Sequence, residues 1–165
     1  MNKPTVKFNT KNRVEFFKVL RQRVNNYFKE NNLSKYGNLN MKFKTAFMLC
    51  LYFVPFILMV SGVFTSYWFI MLMWAIMAFG MSGIGLSVMH DANHGAYSKY
   101  KKVNKAVGFI LNFIGGYHVN WKIQHNMLHH TYPNIEGYDE DIAMNTMRIT
   151  PEQERKWIYN LQIVY

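Results

Sequence analysis

Five of the six histidines in this sequence lie in two short clusters. The first cluster, HDANH at residues 90–94, is called the first box, and the second, HNMLHH at residues 125–130, is called the second box. On a helix, residues four apart share a face with their β-carbons about 6 Å apart. The HxxxH pair in each box can therefore bind a metal ion. The five candidate ligands are His90, His94, His125, His129 and His130.

The number of histidines favours a site for two metal ions. His130 follows His129 directly, and on an α-helix it would be turned by about 100° from it. The adjacent pair can therefore aim at two different ions. Five imidazoles exceed the four ligands of a tetrahedral zinc site. Imidazole suits Fe, Zn, Cu and Ni and does not favour Ca or Mg.

The elements before the first box predict a membrane hairpin. No charged residue occurs from Thr45 to Met89, a run of 45 residues, and about 20 apolar residues cross a bilayer core. We expect a first span at residues 45–63, which carries Pro55, and a second at residues 67–89. Gly80, Gly83 and Gly85 would allow close helix approach in the second span.

The charge pattern predicts the orientation of this hairpin. The chain carries a net charge of +10, and eleven of its nineteen Lys and Arg residues lie at or before Lys44. Basic residues that flank apolar spans mark the cytoplasmic side. We therefore expect the N-terminus and both boxes to be cytoplasmic. Topology and anionic lipid account for the basic charge, so nucleic acid is not an expected partner.

One further predicted element lies before the hairpin, and another follows the first box. Val14, Phe17, Leu20, Val24 and Phe28 follow a helical period with basic residues on the other faces, so this segment either lies on the membrane surface or packs on the rest of the protein. The apolar stretch at residues 106–116 is too short to span. We interpret it as interfacial or re-entrant, which keeps the second box on the same side of the membrane as the first.

The fold class that follows is an all-α integral membrane protein, with a two-helix transmembrane hairpin plus interfacial and cytoplasmic helices. It has three regions: a basic cytoplasmic or interfacial segment at residues 1–44, the hairpin at residues 45–89, and a cytoplasmic histidine-box region at residues 90–165 whose domain is incomplete at its C-terminus. Thr150 followed by Pro151 predicts the start of a helix that continues to Tyr165.

The two boxes, taken in order, resemble those of the membrane fatty acid desaturases. The matching stretches are HDANHGAYS at residues 90–98 and HNMLHHTYPNIEGYDEDI at residues 125–142. The resemblance implies a di-iron enzyme that uses O₂ and two electrons to place a double bond in a long acyl chain, carried by a lipid or by coenzyme A. It also implies that all five box histidines are iron ligands and that the protein lies in a membrane, which we expect to be the bacterial inner membrane.

The family's third box, QxxHH, is not found in the 165 residues. We therefore expect an N-terminal fragment of a desaturase-like protein that is inactive on its own. The HPGG motif of a fused haem domain is not found either, so the resemblance implies an external ferredoxin or a similar carrier as the electron donor. This carrier would dock on the basic cytoplasmic face.

Three alternatives remain at this point. The boxes alone do not separate desaturation from hydroxylation or ketone formation by a related di-iron enzyme. HDANH also has the spacing of the zinc-protease motif HExxH, with Asp91 in place of the glutamate base, although that assignment leaves the second box without a role. In the third alternative, the protein is not an enzyme and its histidines are structural.

Several residues near the boxes have secondary roles in this scheme. His118 is expected to be a supporting or interfacial residue rather than a ligand. Asp91 and Asn93 can hold the second ring nitrogen of a ligand histidine. Asp139 and Asp141 can do the same or bind a basic partner, although a solvated acidic loop is the more ordinary interpretation. Trp121 is expected to be an interfacial aromatic residue.

Overall fold

The computed structural model describes residues 6–9, 14–142, 147–151 and 153–162. These residues form helices and turns, with no β-strand among them. The chain divides into two compact units, Met1–Gly115 and Gly116–Tyr165. The predicted all-α fold class is confirmed.

The first unit begins with the predicted amphipathic helix. Helix α1 spans Val14–Glu30. It ends where Asn32 adopts a positive φ of 51° and the Leu33 amide donates to the Phe28 carbonyl at 2.9 Å. A left-handed residue with such a bond is a common helix C-cap.

The predicted hairpin follows as two long apolar helices. Helix α2 spans Leu39–Val60, and helix α3 spans Tyr67–Gly83. A π-helix at Ile84–Met89, called π1, and the short helix α4 at His90–Asn93 continue α3 directly. By length and composition, α2 and the continuous stretch Tyr67–Asn93 are able to cross a membrane.

The first span begins at Leu39 rather than at the predicted Thr45. The side chain of Asn38 accepts a hydrogen bond from the Met41 amide at 3.0 Å, which is the usual N-cap arrangement. Lys42 and Lys44 therefore lie within α2. Long basic side chains near the end of a membrane helix can reach back to the interface, so these charges do not prevent the helix from starting before the apolar run.

Two of the three predicted glycines allow α2 and α3 to pack closely. A β-carbon on Gly80 would lie 2.7 Å from the Tyr52 nitrogen, and one on Gly83 would collide with the Met48 side chain. Later residues of α3 thus meet earlier residues of α2, which makes the pair antiparallel. The prediction was wrong for Gly85, where a β-carbon would meet nothing within 4 Å.

Most buried apolar residues of the first unit lie directly before or within the first box. Ile84, Val88, Met89 and Ala92 are buried apolar residues of π1 and α4. Behind them pack helix α5 at Lys101–Phe109 and a 3₁₀-helix at Ile110–Ile114. The short apolar segment predicted at residues 106–116 is the end of this pair, and Gly115 closes it with a φ of 92°.

The second unit is built from short helices around the second box. Helix α6 spans His118–Trp121, and a π-helix at Lys122–His129, called π2, continues it. Two 3₁₀-helices follow, at Glu140–Ile142 and Trp157–Leu161.

The helix predicted to start at Thr150 is not formed in the described residues 147–151 and 153–162. The Gln153 side chain accepts hydrogen bonds from the amides of Ile149 at 2.6 Å and Thr150 at 3.2 Å. These bonds hold a local turn, and a side chain that bonds nearby backbone competes with helix formation. The end of the predicted helix, residues 163–165, lies outside the described residues.

Candidate metal centre

The first box places its two histidine rings together at the end of the second span. The His94 amide donates to the His90 carbonyl at 3.0 Å. The ring centroids of His90 and His94 lie 4.5 Å apart with an angle of 69° between the planes. The HxxxH spacing therefore brings both imidazoles to one side of the helix end.

Asp91 lies beside the first histidine of this box. Its Oδ1 atom is 3.2 Å from the His90 Nδ1 atom. A carboxylate on one ring nitrogen commonly orients a histidine whose other nitrogen binds a metal. This position matches the orienting role predicted for Asp91.

Asn93 joins the first box to α5. It is buried, and its Nδ2 atom lies 3.5 Å from the Gly108 carbonyl oxygen and 3.4 Å from the Met89 sulfur. A β-carbon on Gly108 would collide with the Asn93 carboxamide. The absence of a side chain at Gly108 therefore lets the box pack directly against α5.

Asn104 holds the loop that follows the first box. Its Oδ1 atom accepts a hydrogen bond from the Ser98 amide at 2.7 Å. Its Nδ2 atom donates to the Gly95 carbonyl at 3.1 Å and to the Ser98 carbonyl at 2.7 Å. Gly95 directly follows His94 and has a positive φ of 76°, so Asn104 fixes the peptide next to the second histidine of the box. Sequence reasoning missed this residue, which carries no motif.

A second contact ties the same loop to α2. The Tyr97 hydroxyl donates to the Thr45 hydroxyl oxygen at 3.0 Å, and the Gly37 amide donates to the Tyr97 carbonyl at 3.1 Å. Thr45 is buried. The first box is thus held by α5 on one side and by the start of the first span on the other.

The second box brings all three of its histidine rings together. The ring centroid of His125 lies 5.1 Å from that of His129 and 5.0 Å from that of His130. The centroids of His129 and His130 are 5.3 Å apart. The His125 and His129 rings are stacked at 19°, whereas His130 meets His125 at 87°.

The helix that carries this box is a π-helix and not the α-helix that we assumed. A π-helix has i→i+5 hydrogen bonds and is often found at functional sites. It brings residues four and five positions apart to the same side, so His125 faces both His129 and His130. The prediction that His129 and His130 aim at two different ions stays a prediction. Both π-helices, π1 and π2, adjoin or contain a box.

Asp139 and Asp141 form hydrogen bonds with ring nitrogens of the second box. The Asp139 Oδ1 atom is 2.9 Å from the His129 Nδ1 atom, and the Asp141 Oδ2 atom is 2.5 Å from the His125 Nδ1 atom. Asp139 is only 1% exposed. The interpretation as a solvated acidic loop was wrong for Asp139, and both carboxylates contact box histidines, as their alternative role requires.

Backbone donors keep the buried Asp139 side chain ionised. Burial raises its pKa, but hydrogen bonds from the Asn134 amide, from His129 and from the Asp141 amide outweigh this effect, so the pKa of Asp139 lies below its ordinary value. The amide bonds measure 2.7 Å for Asn134 and 3.1 Å for Asp141. An ionised carboxylate only accepts hydrogen bonds. The His129 Nδ1 atom must therefore carry the proton.

Neighbouring side chains support the second box from the side. The Trp121 ring stacks on the His125 ring at 4.4 Å and 25°, a contact that its interpretation as an interfacial aromatic residue did not include. The Gln124 Nε2 atom donates to the Glu140 carboxylate at 2.7 Å. This bond joins π2 to the loop that carries Asp139 and Asp141.

The donor set of the second box fits a metal that binds imidazole. One donor atom from each of His125, His129 and Asp141 lies within 4.8 Å of the others, so one possible arrangement uses Asp141 itself as a ligand. In the other arrangement, Asp141 only orients its histidine. Because Asp139 and Asp141 occupy the Nδ1 side of their histidines, Nε2 is the nitrogen directed away from the carboxylates. The Nε2 atom of His125 is buried. Histidines that bind metals commonly have this arrangement, with the second nitrogen on a carboxylate.

His118 lies apart from the box in the sequence and begins α6. Its ring meets that of Tyr117 edge-on, with centroids 5.8 Å apart. No candidate metal group among the described residues includes His118. The supporting or interfacial role of His118 stays a prediction.

Comparison with known proteins assigns the chain to a family. The fatty acid desaturase family matches residues 65–165, which contain both boxes. The chain therefore belongs to the fatty acid desaturase family, as the boxes predicted. No solved structure matches the chain.

Curated relatives match over nearly the whole chain. The sn-1 linoleoyl-lipid 6-desaturase of Arthrospira platensis is 37% identical over 90% of this chain and 40% of its own length. The protein of the same description from Synechocystis is 36% identical over 91% of this chain and 42% of its own length. The acyl-lipid (8-3)-desaturase of Physcomitrium patens is 31% identical over 99% of this chain and 34% of its own length.

These matches decide between some of the alternatives. They favour a desaturase over the intramembrane metalloprotease and over a protein with purely structural histidines. The chain spans less than half the length of each of these three relatives.

Proposed function

We propose that this chain forms the first part of an acyl-lipid desaturase that introduces a double bond into a long acyl chain in a membrane. The single observation that carries this proposal is the pairing of ring nitrogens in the second box with the carboxylates of Asp139 and Asp141. Such pairing prepares imidazoles for metal binding. The names of the relatives support an acyl-lipid substrate.

The metal centre in this proposal is a pair of iron ions with all five box histidines as ligands. Bound iron would supply the reduction of O₂ to two waters, with two electrons and two protons from outside and two hydrogens from adjacent carbons of the acyl chain. Three of these histidines have a carboxylate beside them: Asp91 beside His90, Asp141 beside His125 and Asp139 beside His129. These carboxylates would set the orientation and the tautomer of the histidine rings. Further ligands would come from the part of the relatives that this chain does not span.

The protein residues in this proposal bind, orient and exclude water. In this proposal, the first box lies at the end of the second span near the membrane surface, where an acyl chain is within reach. The buried side chains behind that box, Ile84, Val88, Met89 and Ala92, keep water from one side of it. Exclusion of water protects a reactive centre from side reactions.

The electron donor in this proposal is a separate acidic carrier such as a ferredoxin. Four exposed lysines follow the first box: Lys99, Lys101, Lys102 and Lys105. Complementary charge speeds the encounter between partners. The proposal places these lysines and both boxes on the cytoplasmic side of a bacterial inner membrane.

Product analysis tests the proposal. The reading frame that contains this sequence is expressed in a host whose lipids provide saturated and monounsaturated acyl chains. We expect a new double bond in the lipid fraction that depends on iron and is lost in His125→Ala. A hydroxylated or ketone product would instead support the alternative di-iron oxygenase, and unchanged lipids in cells whose protein contains two iron ions would overturn the proposal.

The DNA after the Tyr165 codon provides an independent test. The proposal predicts an open frame with two further apolar spans and a QxxHH box. A stop codon directly after Tyr165, in a gene whose product is nevertheless active, would refute the assignment of the remaining ligands.

A further inference from the structure

We propose that α1 is a membrane-surface helix that binds anionic lipid headgroups next to the first span. This inference concerns a different part of the chain from the boxes, and it does not depend on the desaturase reaction. It depends on the exposed apolar face of α1, on the position of its arginines and on its short connection to α2.

The apolar face of α1 is exposed. Every residue from position 15 to position 27 is exposed, including Phe17 at 51%, Leu20 at 44% and Val24 at 44%, while Phe28 is half-buried. Phe17, Leu20 and Val24 share this face, since successive residues turn by about 100° on a helix. The structure therefore speaks against the interpretation that this face packs on the described part of the protein.

Basic residues border that face on both sides. With about 100° per residue, Arg21 lies about 40° from Phe17 on one side, and Arg23 lies about 60° beyond Leu20 on the other. Lys18 and Lys29 lie further round. An amphipathic helix with cations at the edges of its apolar face lies in the interface of a bilayer, with its cations at the headgroups. The charge of those cations is complementary to anionic lipid.

The connection to the first span keeps α1 near the membrane. Only residues 31–38 separate Glu30 from Leu39, where α2 begins. Eight extended residues reach at most about 30 Å, which is comparable with the thickness of a bilayer core. Lys42 lies in the first turns of α2 and is exposed, so the span begins at a basic interface that is continuous with α1.

Lipid accessibility of single labelled positions tests this proposal. In a Cys50→Ser background, an environment-sensitive fluorophore is placed at Leu20→Cys or at the matched control Gln22→Cys. Gln22 lies about 200° further round the helix, on the polar face. The protein is reconstituted into vesicles of phosphatidylcholine with or without phosphatidylglycerol, and quenching by spin-labelled lipid is measured.

The proposal predicts that lipid quenches the label at position 20 several-fold more than the label at position 22. This difference in quenching should be smaller in vesicles of phosphatidylcholine alone. It should also be smaller in the double variant that carries Arg21→Gln and Arg23→Gln. Equal quenching at both positions would overturn the proposal. If the label at position 20 is shielded from both lipid and aqueous quenchers, a protein covers this face, which would also overturn the proposal. If quenching is the same with and without phosphatidylglycerol and in the double arginine variant, the role of anionic headgroups is refuted.

Discussion

Substitution of Asp139 by asparagine tests the role of the carboxylates directly. The buried Asp139 side chain accepts hydrogen bonds from His129, from the Asn134 amide and from the Asp141 amide. Asparagine has nearly the same shape but only one accepting oxygen. The variant therefore changes hydrogen bonding and charge with little change in packing.

The size of the effect follows from the geometry. The two backbone amides donate to different oxygens of Asp139, with Asn134 on Oδ2 and Asp141 on Oδ1. In either orientation, the carboxamide nitrogen faces a backbone N–H. One buried donor is then left unsatisfied, which costs about 1–3 kcal/mol. His129 also loses an ionised acceptor, and the loss of such a partner typically lowers metal affinity about 10–100-fold.

Metal titration of the purified protein in detergent measures the loss of metal affinity. Thermal unfolding measures the loss of stability from the unsatisfied donor. The matched control is Glu136→Gln, since Glu136 is an exposed acid of the same loop. We expect Asp139→Asn to weaken binding of iron(II), or of cobalt(II) as a spectroscopic substitute, while Glu136→Gln leaves it unchanged. Wild-type affinity in Asp139→Asn, with its helical signal intact, would refute the orienting role.

Two further predictions concern the packing that supports the first box. Gly80→Ala should destabilise the hairpin by about 1–3 kcal/mol, the usual cost of overpacking, because its β-carbon would press on the Tyr52 backbone nitrogen. Gly85→Ala should leave thermal stability almost unchanged, because its β-carbon would meet nothing within 4 Å. Equal losses of thermal stability in the two variants would contradict this packing. Asn104→Ala should increase hydrogen exchange at the Ser98 amide about 10-fold or more, since it loses its acceptor. Unchanged exchange there would show that Asn104 does not hold the loop.

The parts of this fold that follow from local patterns could be predicted from the sequence. The HxxxH spacing of His90 and His94 requires only one helical turn, and the structure brings their rings within 4.5 Å. The two spans follow from the uncharged run at residues 45–89. Their packing at Gly80 follows from the preference for small residues where membrane helices meet.

The parts that depend on contacts between distant residues could not be predicted. Asp139 lies in a stretch rich in acids and polar residues, and only its bonds to His129 and to nearby amides reveal that it is buried and ionised. The π-helix of the second box has the same residue types as an α-helix, so hydropathy cannot distinguish them. The turn at Thr150 depends on the side chains of Gln153 and Arg148, whose bonds to nearby backbone outweigh the helix signal of Pro151.

The central claim is that the histidines of both boxes hold one paired-iron centre. Iron content after substitution of single histidines tests this claim most directly. The complete protein is purified as wild type, with His94→Ala or His129→Ala from the two boxes, and with His118→Ala as the control outside them. The account predicts two iron ions per wild-type and His118→Ala chain, with a large loss of iron in each box variant. Full iron content in either box variant, or an equal loss in His118→Ala, would contradict it.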